Sequence, residues 1–220
     1  MVQKKDNKIL IHACCGICSG YPISLLKEMG YEPVVYFCNP NLDTKEEYER
    51  RLKAQKIVCM YHWVELIAEE YRHEEFLQAV TGLENEPERG KRCDVCIELR
   101  LKEAALKAKE LGINKFTTSL VISPHKNFKK ITEIGKSVSD GLEYVAIDFK
   151  KKDGFLKTNN LSKKPPFTSI FFTPILKFVL QLFPPSSSFV ITLLKIHNNL
   201  TNVNSSNSKY LYHLYHLYHL

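Results

Sequence analysis

The chain has 220 residues, 44% of them hydrophobic, and a formal net charge of +7. That length suits one domain with a buried core plus an appendage, and it excludes a second full domain. The charge does not by itself point to nucleic acid. All 24 acidic residues lie at or before Asp153, where 25 basic residues nearly cancel them, so RNA phosphates could be held only by a local patch.

The opening MVQKKDNKILIHACC has no charged region followed by an apolar leader, so a cytoplasmic, reducing compartment is expected. There, seven cysteines read as ligands or redox groups rather than as a disulfide framework. Lys8–Ala13 and Pro33–Cys38 read as buried strands, and Lys115–Leu120 and Leu142–Phe149 as two more. Between them, Tyr21–Met29, Thr44–Val58, Glu69–Thr81, Cys93–Leu111 and Phe128–Ser139 carry helical spacing, several with acids early and bases late. The alternation predicts an α/β fold: a mostly parallel sheet flanked by helices, binding its ligand beyond the carboxyl ends of the strands.

Beyond about Lys164 the composition changes. Asp, Glu, Gly, Arg and Cys disappear, and the chain finishes in the repeat YLYHLYHLYHL. The expected organisation is therefore a domain over 1–163 and a divergent, low-complexity tail over 164–220 without a packed core. Within that tail Phe167–Phe183 is apolar. It falls short of the roughly 20 residues of a membrane span and is interrupted by Pro174, Lys177 and Gln181, so no membrane partner is expected.

Two cysteine segments carry the chemistry. Cys14 and Cys15 follow the first strand in HACCGICSGYP, and Cys93 and Cys96 open a charged helix in RGKRCDVCIELR. Adjacent thiols can share one cavity only if the chain turns sharply, a role that falls to Gly16. Ser19 and Gly20 would then let the backbone approach a ligand. Cys18 completes a CxxC with Cys15 at a helix start, where the dipole favours thiolate. Cys93 and Cys96, three apart, share a helix face within reach of one metal, beside Lys91 and Arg92. Four sulfurs suit zinc as well as an iron–sulfur centre, and ligand count does not separate the two.

Other polar residues have more ordinary readings. Cys38 and Cys59 fit as core fillers, and His12 is balanced between a core histidine and a group that orients a ligand. Asn39, Asn41 and Asp43 form a polar loop after the second strand, and Tyr48 and Arg51 read as a solvated helix face. Lys126, Lys129 and Lys130 with Lys150, Lys151 and Lys152 make the one credible patch for RNA phosphates. Thr117, Thr118, Ser119 and Ser123 offer hydroxyls to a polar substrate.

The segments HACCGICSGYP, YFCNPNLDTKEEYERRLKAQK, GLENEPERGKRCDVCIELRL, FTTSLVISPHKN and DFKKKDGF resemble, in order and spacing, epoxyqueuosine reductases of the QueH type, over about residues 8–162. The resemblance implies a Rossmann-like (HUP-like) sheet and reduction of epoxyqueuosine to queuosine at the tRNA wobble position. It also implies a [4Fe–4S] cluster on Cys14, Cys15, Cys93 and Cys96, an external electron donor, and room for an additional metal ion near Cys18. The family continues to a Cys-Gly-Cys pair that acts as a redox-active disulfide. Here LSKKPPFTSIFF takes over and no cysteine follows Cys96, which predicts cluster binding with impaired turnover. A change of reading frame or a gene-model error near Lys164 would account for the shift in composition.

Two other functions fit parts of the pattern. A thiol–disulfide oxidoreductase would use Cys15-Gly-Ile-Cys18 but leaves Cys93 and Cys96 unexplained. A zinc-stabilised RNA-binding module would use all four sulfurs without redox chemistry.

Overall fold

The computed structural model of the chain describes residues 7–163. The expectations about residues 164–220, including Phe167–Phe183 and the histidine repeat, lie outside the described residues. Among the described residues no helix is long and apolar enough to cross a membrane.

Five parallel strands form one sheet: β1 (Lys8–His12), β2 (Glu32–Phe37), β3 (Leu66–Ala68), β4 (Lys115–Thr118) and β5 (Glu143–Tyr144), in the order β3-β2-β1-β4-β5. Around it pack α1 (Gly16–Glu28), α2 (Lys45–His62), α3 (His73–Ala79), α4 (Lys91–Glu110), α5 (Phe128–Ser137) and α6 (Gly154–Lys163). The fold is α/β and Rossmann-like. Its strand order reverses between β1 and β4, the position at which such sheets open a ligand crevice beyond their carboxyl ends.

The pleat explains the two-sided core, because successive residues of a strand point to opposite faces. Ile9 and Ile11 of β1 join Ile23 and Leu26 of α1, Cys59 of α2 and Ile131 of α5 in one cluster. Leu10 meets Ala104, Ala105 and Ala108 of α4 on the other face, with Phe116 and Tyr144. Small alanines let α4 lie close to the sheet, while burial of each large aliphatic or aromatic side chain contributes about 1.5–3 kcal/mol.

Several elements depart from the sequence expectation. Helix α1 begins at Gly16, not near Tyr21, because Cys15 caps it and Pro22 is accommodated inside the helix. Strand β4 is cut short when the Thr118 hydroxyl accepts from the Leu120 N–H at 3.2 Å and the chain tightens into a 3-10 turn, Ser119–Ile122. Only Glu143 and Tyr144 of the expected last strand pair with a neighbour. The edge strand β3 and helix α6 were not anticipated: the first is three residues long, and the second, GFLKTNNLSK, is largely polar.

Two contacts fix the start of α1 against its surroundings. A Cβ on Gly16 would lie 2.6 Å from the Ala54 carbonyl oxygen, so the absent side chain lets α1 and α2 approach each other. The buried Asn39 amide donates to the Ala13 carbonyl at 2.9 Å, tying the loop after β2 to the residue before Cys14. Gly16→Ala should therefore cost about 1–3 kcal/mol by overpacking, read as a lower urea midpoint at unchanged slope. Asn39→Ala leaves a buried carbonyl unpaired and should cost about 1–3 kcal/mol. It should also speed modification of Cys14 and Cys15 by a thiol reagent; equal modification rates would show that the loop does not hold the cysteines.

Candidate metal centre

Only Ala13, Cys14 and Cys15 separate β1 from α1, so both thiols must sit at the carboxyl edge of the central strand. Ala13 continues the sheet pairing by donating its N–H to the Tyr36 carbonyl at 2.8 Å. Cys15 is extended (φ −169°) and caps α1, its sulfur accepting from the Cys18 N–H at 3.4 Å. One helical turn then brings Cys18 back over the pair. The sulfurs of Cys14, Cys15 and Cys18 all lie within 4.8 Å of one another and are half-buried.

Cys93 and Cys96 occupy the first turns of α4 and are also half-buried. They lie outside the 4.8 Å group, on a helix whose Ile97 and Leu101 belong to the core cluster against which Cys14 and Cys18 pack. Each accepts an N–H. The Arg89 backbone donates to Cys93 Sγ at 3.3 Å, and the Arg100 guanidinium donates to Cys96 Sγ at 3.4 Å and to the Cys96 carbonyl at 3.0 Å. N–H donors aimed at sulfur favour the thiolate form, the form that binds metal. Five half-buried thiols at the sheet's carboxyl edge and the start of the neighbouring α4, three of them receiving N–H bonds, are a donor set that fits a thiophilic metal or an iron–sulfur cluster.

The charge is not distributed as the helix dipole alone predicts. Hydrogen bonds from Cys15 and Cys18 hold the Cys14 thiol well below its usual range, and the Ser119 hydroxyl, 3.7 Å from its sulfur, adds to this. The same bonds from the other side push Cys15 up to about 11 and raise Cys18 further still. The bonds among the three thus lower Cys14 and raise its two neighbours. Burial, reinforced by the Arg100 charge, lowers His12 to about 4, so its ring is neutral. Its Nε2–H donates to the Cys38 carbonyl at 3.1 Å, and its Nδ1 accepts from the Thr118 hydroxyl at 3.0 Å. His12 is a cross-strand tie, not a ligand.

The remaining candidates sort by burial. Cys38 and Cys59 are buried and their thiols pushed up by desolvation, in keeping with core positions. Tyr48 is not on a solvated face: it is 4% exposed, packs edge-on against Phe37, and donates its hydroxyl to the Glu69 carbonyl. Arg51 pairs with Glu47 at 2.6 Å. Thr117, Thr118 and Ser119 are buried, so Thr118 and Ser119 serve His12 and the cysteine segment rather than a substrate. Ser19 is likewise buried, donating to Gly16 and to Gln55 at 2.9 Å across the α1–α2 contact. It and Gly20 are buried within α1. Arg89 and Arg100 escaped the sequence reading. For Arg100 a signal existed, since it follows Cys96 by four residues and so shares its helix face.

A crevice of about 370 Å³ opens beside Cys93, lined among others by Arg89, Asp94, His125, Lys126 and Lys130. Lys130 pairs with Asp94 at 3.0 Å, and Lys150 donates to the Lys126 carbonyl at 3.0 Å. Of the lysines expected to form a patch, Lys126 and Lys130 line this opening, and Lys150 touches the first through its carbonyl.

Comparison with known proteins bears on the fold and the family. A structure of the U34-tRNA thiolase NcsA from Methanococcus maripaludis, solved with its [4Fe–4S] cluster, superimposes with a TM-score of 0.50 at 12% identity, covering 93% of this chain and 76% of that one. At that identity the likeness is one of fold. Closer relatives are named epoxyqueuosine reductase QueH. The protein from Streptococcus pyogenes serotype M1 is 39% identical over 158 residues, 68% of this chain and 62% of its own length. That from Staphylococcus epidermidis is 37% identical, covering 67% and 66%, and that from Thermotoga maritima 30% identical, covering 71% and 82%. The chain thus spans somewhat under two thirds of the first two relatives. Residues 9–167, which include both cysteine segments and every strand of the sheet, match the family described as epoxyqueuosine reductase QueH, and the chain belongs to that family.

Proposed function

We propose that the protein reduces epoxyqueuosine to queuosine at the wobble position of tRNA, using a [4Fe–4S] cluster held by Cys14, Cys15, Cys93 and Cys96 in the domain that ends near residue 163. The observation that carries this reading is the gathering of Cys14, Cys15 and Cys18 within 4.8 Å at the end of the central strand, in a chain of the QueH family. Deoxygenating the epoxide to the alkene takes up two electrons and two protons and releases the oxygen as water. No side chain supplies two such electrons, so an external electron carrier in the cytoplasm feeds the site. When bound, the cluster passes electrons one at a time.

The chain's own residues hold and orient. Arg89 N–H, the Arg100 guanidinium and the Ser119 hydroxyl direct their donors at the sulfurs and stabilise negative charge there. His12 and Asn39 fix the strand end from which Cys14 projects. Cys18, beside the pair, is the residue available to an additional metal ion. The modified base must leave the anticodon stack to reach this edge, and Lys126 with Lys150 lies where the flanking backbone would pass.

Anaerobic purification with iron and sulfide analysis tests the reading. A brown protein with about four irons and four sulfides per chain is expected, with the colour lost in Cys93→Ala/Cys96→Ala. The reduced wild type should convert epoxyqueuosine in tRNA in a single turnover. Colourless protein with stoichiometric zinc would instead favour the RNA-binding module, and colourless protein with a titratable dithiol would favour thiol–disulfide exchange.

A further inference from the structure

The crevice beside Cys93 has a charge imbalance that its own residues leave unsatisfied. Asp94 neutralises Lys130 at 3.0 Å. Among the described residues neither Arg89 nor Lys126 has a carboxylate within ion-pair distance, although both line the same space. That space, about 370 Å³, lies at the small end of the roughly 300–1,000 Å³ typical of ligand pockets. We propose that it is a phosphate subsite, which seats one backbone phosphate of the RNA strand between Arg89 and Lys126.

The backbone that carries the cations is held before any ligand arrives. The loop carrying Lys126 is closed by the Lys126 N–H to the Ser123 carbonyl at 3.1 Å and by the His125 N–H to the Ser123 hydroxyl at 3.3 Å. Lys150 pins it from outside through the Lys126 carbonyl. Arg89 is held in the left-handed region (φ 69°), a conformation that costs a non-glycine residue about 1 kcal/mol or more. Its N–H is spent on Cys93 Sγ, so its guanidinium is directed independently of the cysteine. Arg89, His125 and Lys130 are exposed at the rim, so a continuous strand can lie across the opening with one phosphate inserted.

The source of the phosphate rests on the tRNA-reductase reading; the subsite's chemistry does not. The test uses the full chain purified anaerobically, with an anticodon stem-loop RNA titrated over a salt series. Because the two cations share one phosphate, Arg89→Gln/Lys126→Gln should lower the slope of log K against log salt by about 0.7–0.9, and each single variant by part of that. The charge-keeping Arg89→Lys and Lys126→Arg should restore the slope, and Lys8→Gln, at the amino end of β1, should leave it unchanged. Equal slopes and affinities in wild type and Arg89→Gln/Lys126→Gln would overturn the proposal. AMP or inorganic phosphate binding as tightly as the RNA, and lost in the double variant, would overturn the RNA assignment in favour of a small phosphate ligand. A protein that carries no iron, yet loses RNA affinity and slope in the double variant, would retain the subsite and refute the reductase reading.

Discussion

The connection between β1 and α1 is so short that the rest of the site is built around it. Three residues must carry the chain from the sheet to the helix above it. An extended Cys15 does so by capping α1 with its own sulfur. The geometry leaves no slack: Ala13 is held to β2 on its N–H side and to Asn39 on its carbonyl side, and Gly16 is pressed against the Ala54 carbonyl. Cys14 then projects beyond the strand with its N–H bonded to the Ser119 hydroxyl at 3.3 Å. Elements from both halves of the sheet meet there because the strand order reverses at this point, so the crevice follows from topology and the cysteines follow from the crevice.

Crowding three sulfurs within 4.8 Å limits the charge the empty edge can hold. Two thiolates at that separation repel by on the order of 3 kcal/mol at an effective dielectric of about 20. The protein accordingly stabilises one negative charge, on Cys14, and raises the other two thiols. A bound cation reverses this balance, because repulsion between thiolates becomes attraction to a common centre. Arg100 works in the same direction: it is 4% exposed and donates to Cys96, and its charge reinforces the burial that keeps His12 neutral. A positively charged histidine would otherwise compete with a metal for the sulfur charge.

The parts of this arrangement legible in the sequence are those with strong local signals. Strands β1 and β2 are continuous apolar runs, and α2 and α4 have full helical patterns, so the parallel architecture and the position of HACCGIC at a strand end could be read directly. Strand β3 has three residues and is half exposed, and β5 has two; tertiary pairing creates such elements, and no local periodicity announces them. Gly16 serves close helix approach, and close approach and a tight turn leave the same residue in the sequence. Tyr48 looked solvated because its neighbours Glu47, Glu49 and Arg50 are charged, yet it fills the space over Phe37. The polar run from Thr117 to Ser119 resembled a substrate-binding loop because hydroxyls spent on buried partners look the same in sequence as hydroxyls offered to a ligand.

The hydrogen bonds to sulfur also separate the readings that the cysteine spacing left open. A thiol–disulfide pair of the CxxC kind needs its leading cysteine as the activated nucleophile. In this chain the leading cysteine of that motif, Cys15, is pushed up to about 11 by its hydrogen bond to Cys14. Cys15 spends its sulfur on the Cys18 N–H, which orients a ligand and restrains an attacking group. Cys93 and Cys96 receive the same treatment from Arg89 and Arg100, although they belong to a different element some eighty residues away. Two segments independently furnished with donors to sulfur favour a shared anionic thiolate centre over an exchange dithiol. Cys38 is the contrast: Arg72, 3.9 Å from its sulfur, is already paired with Glu103, and burial pushes its thiol up.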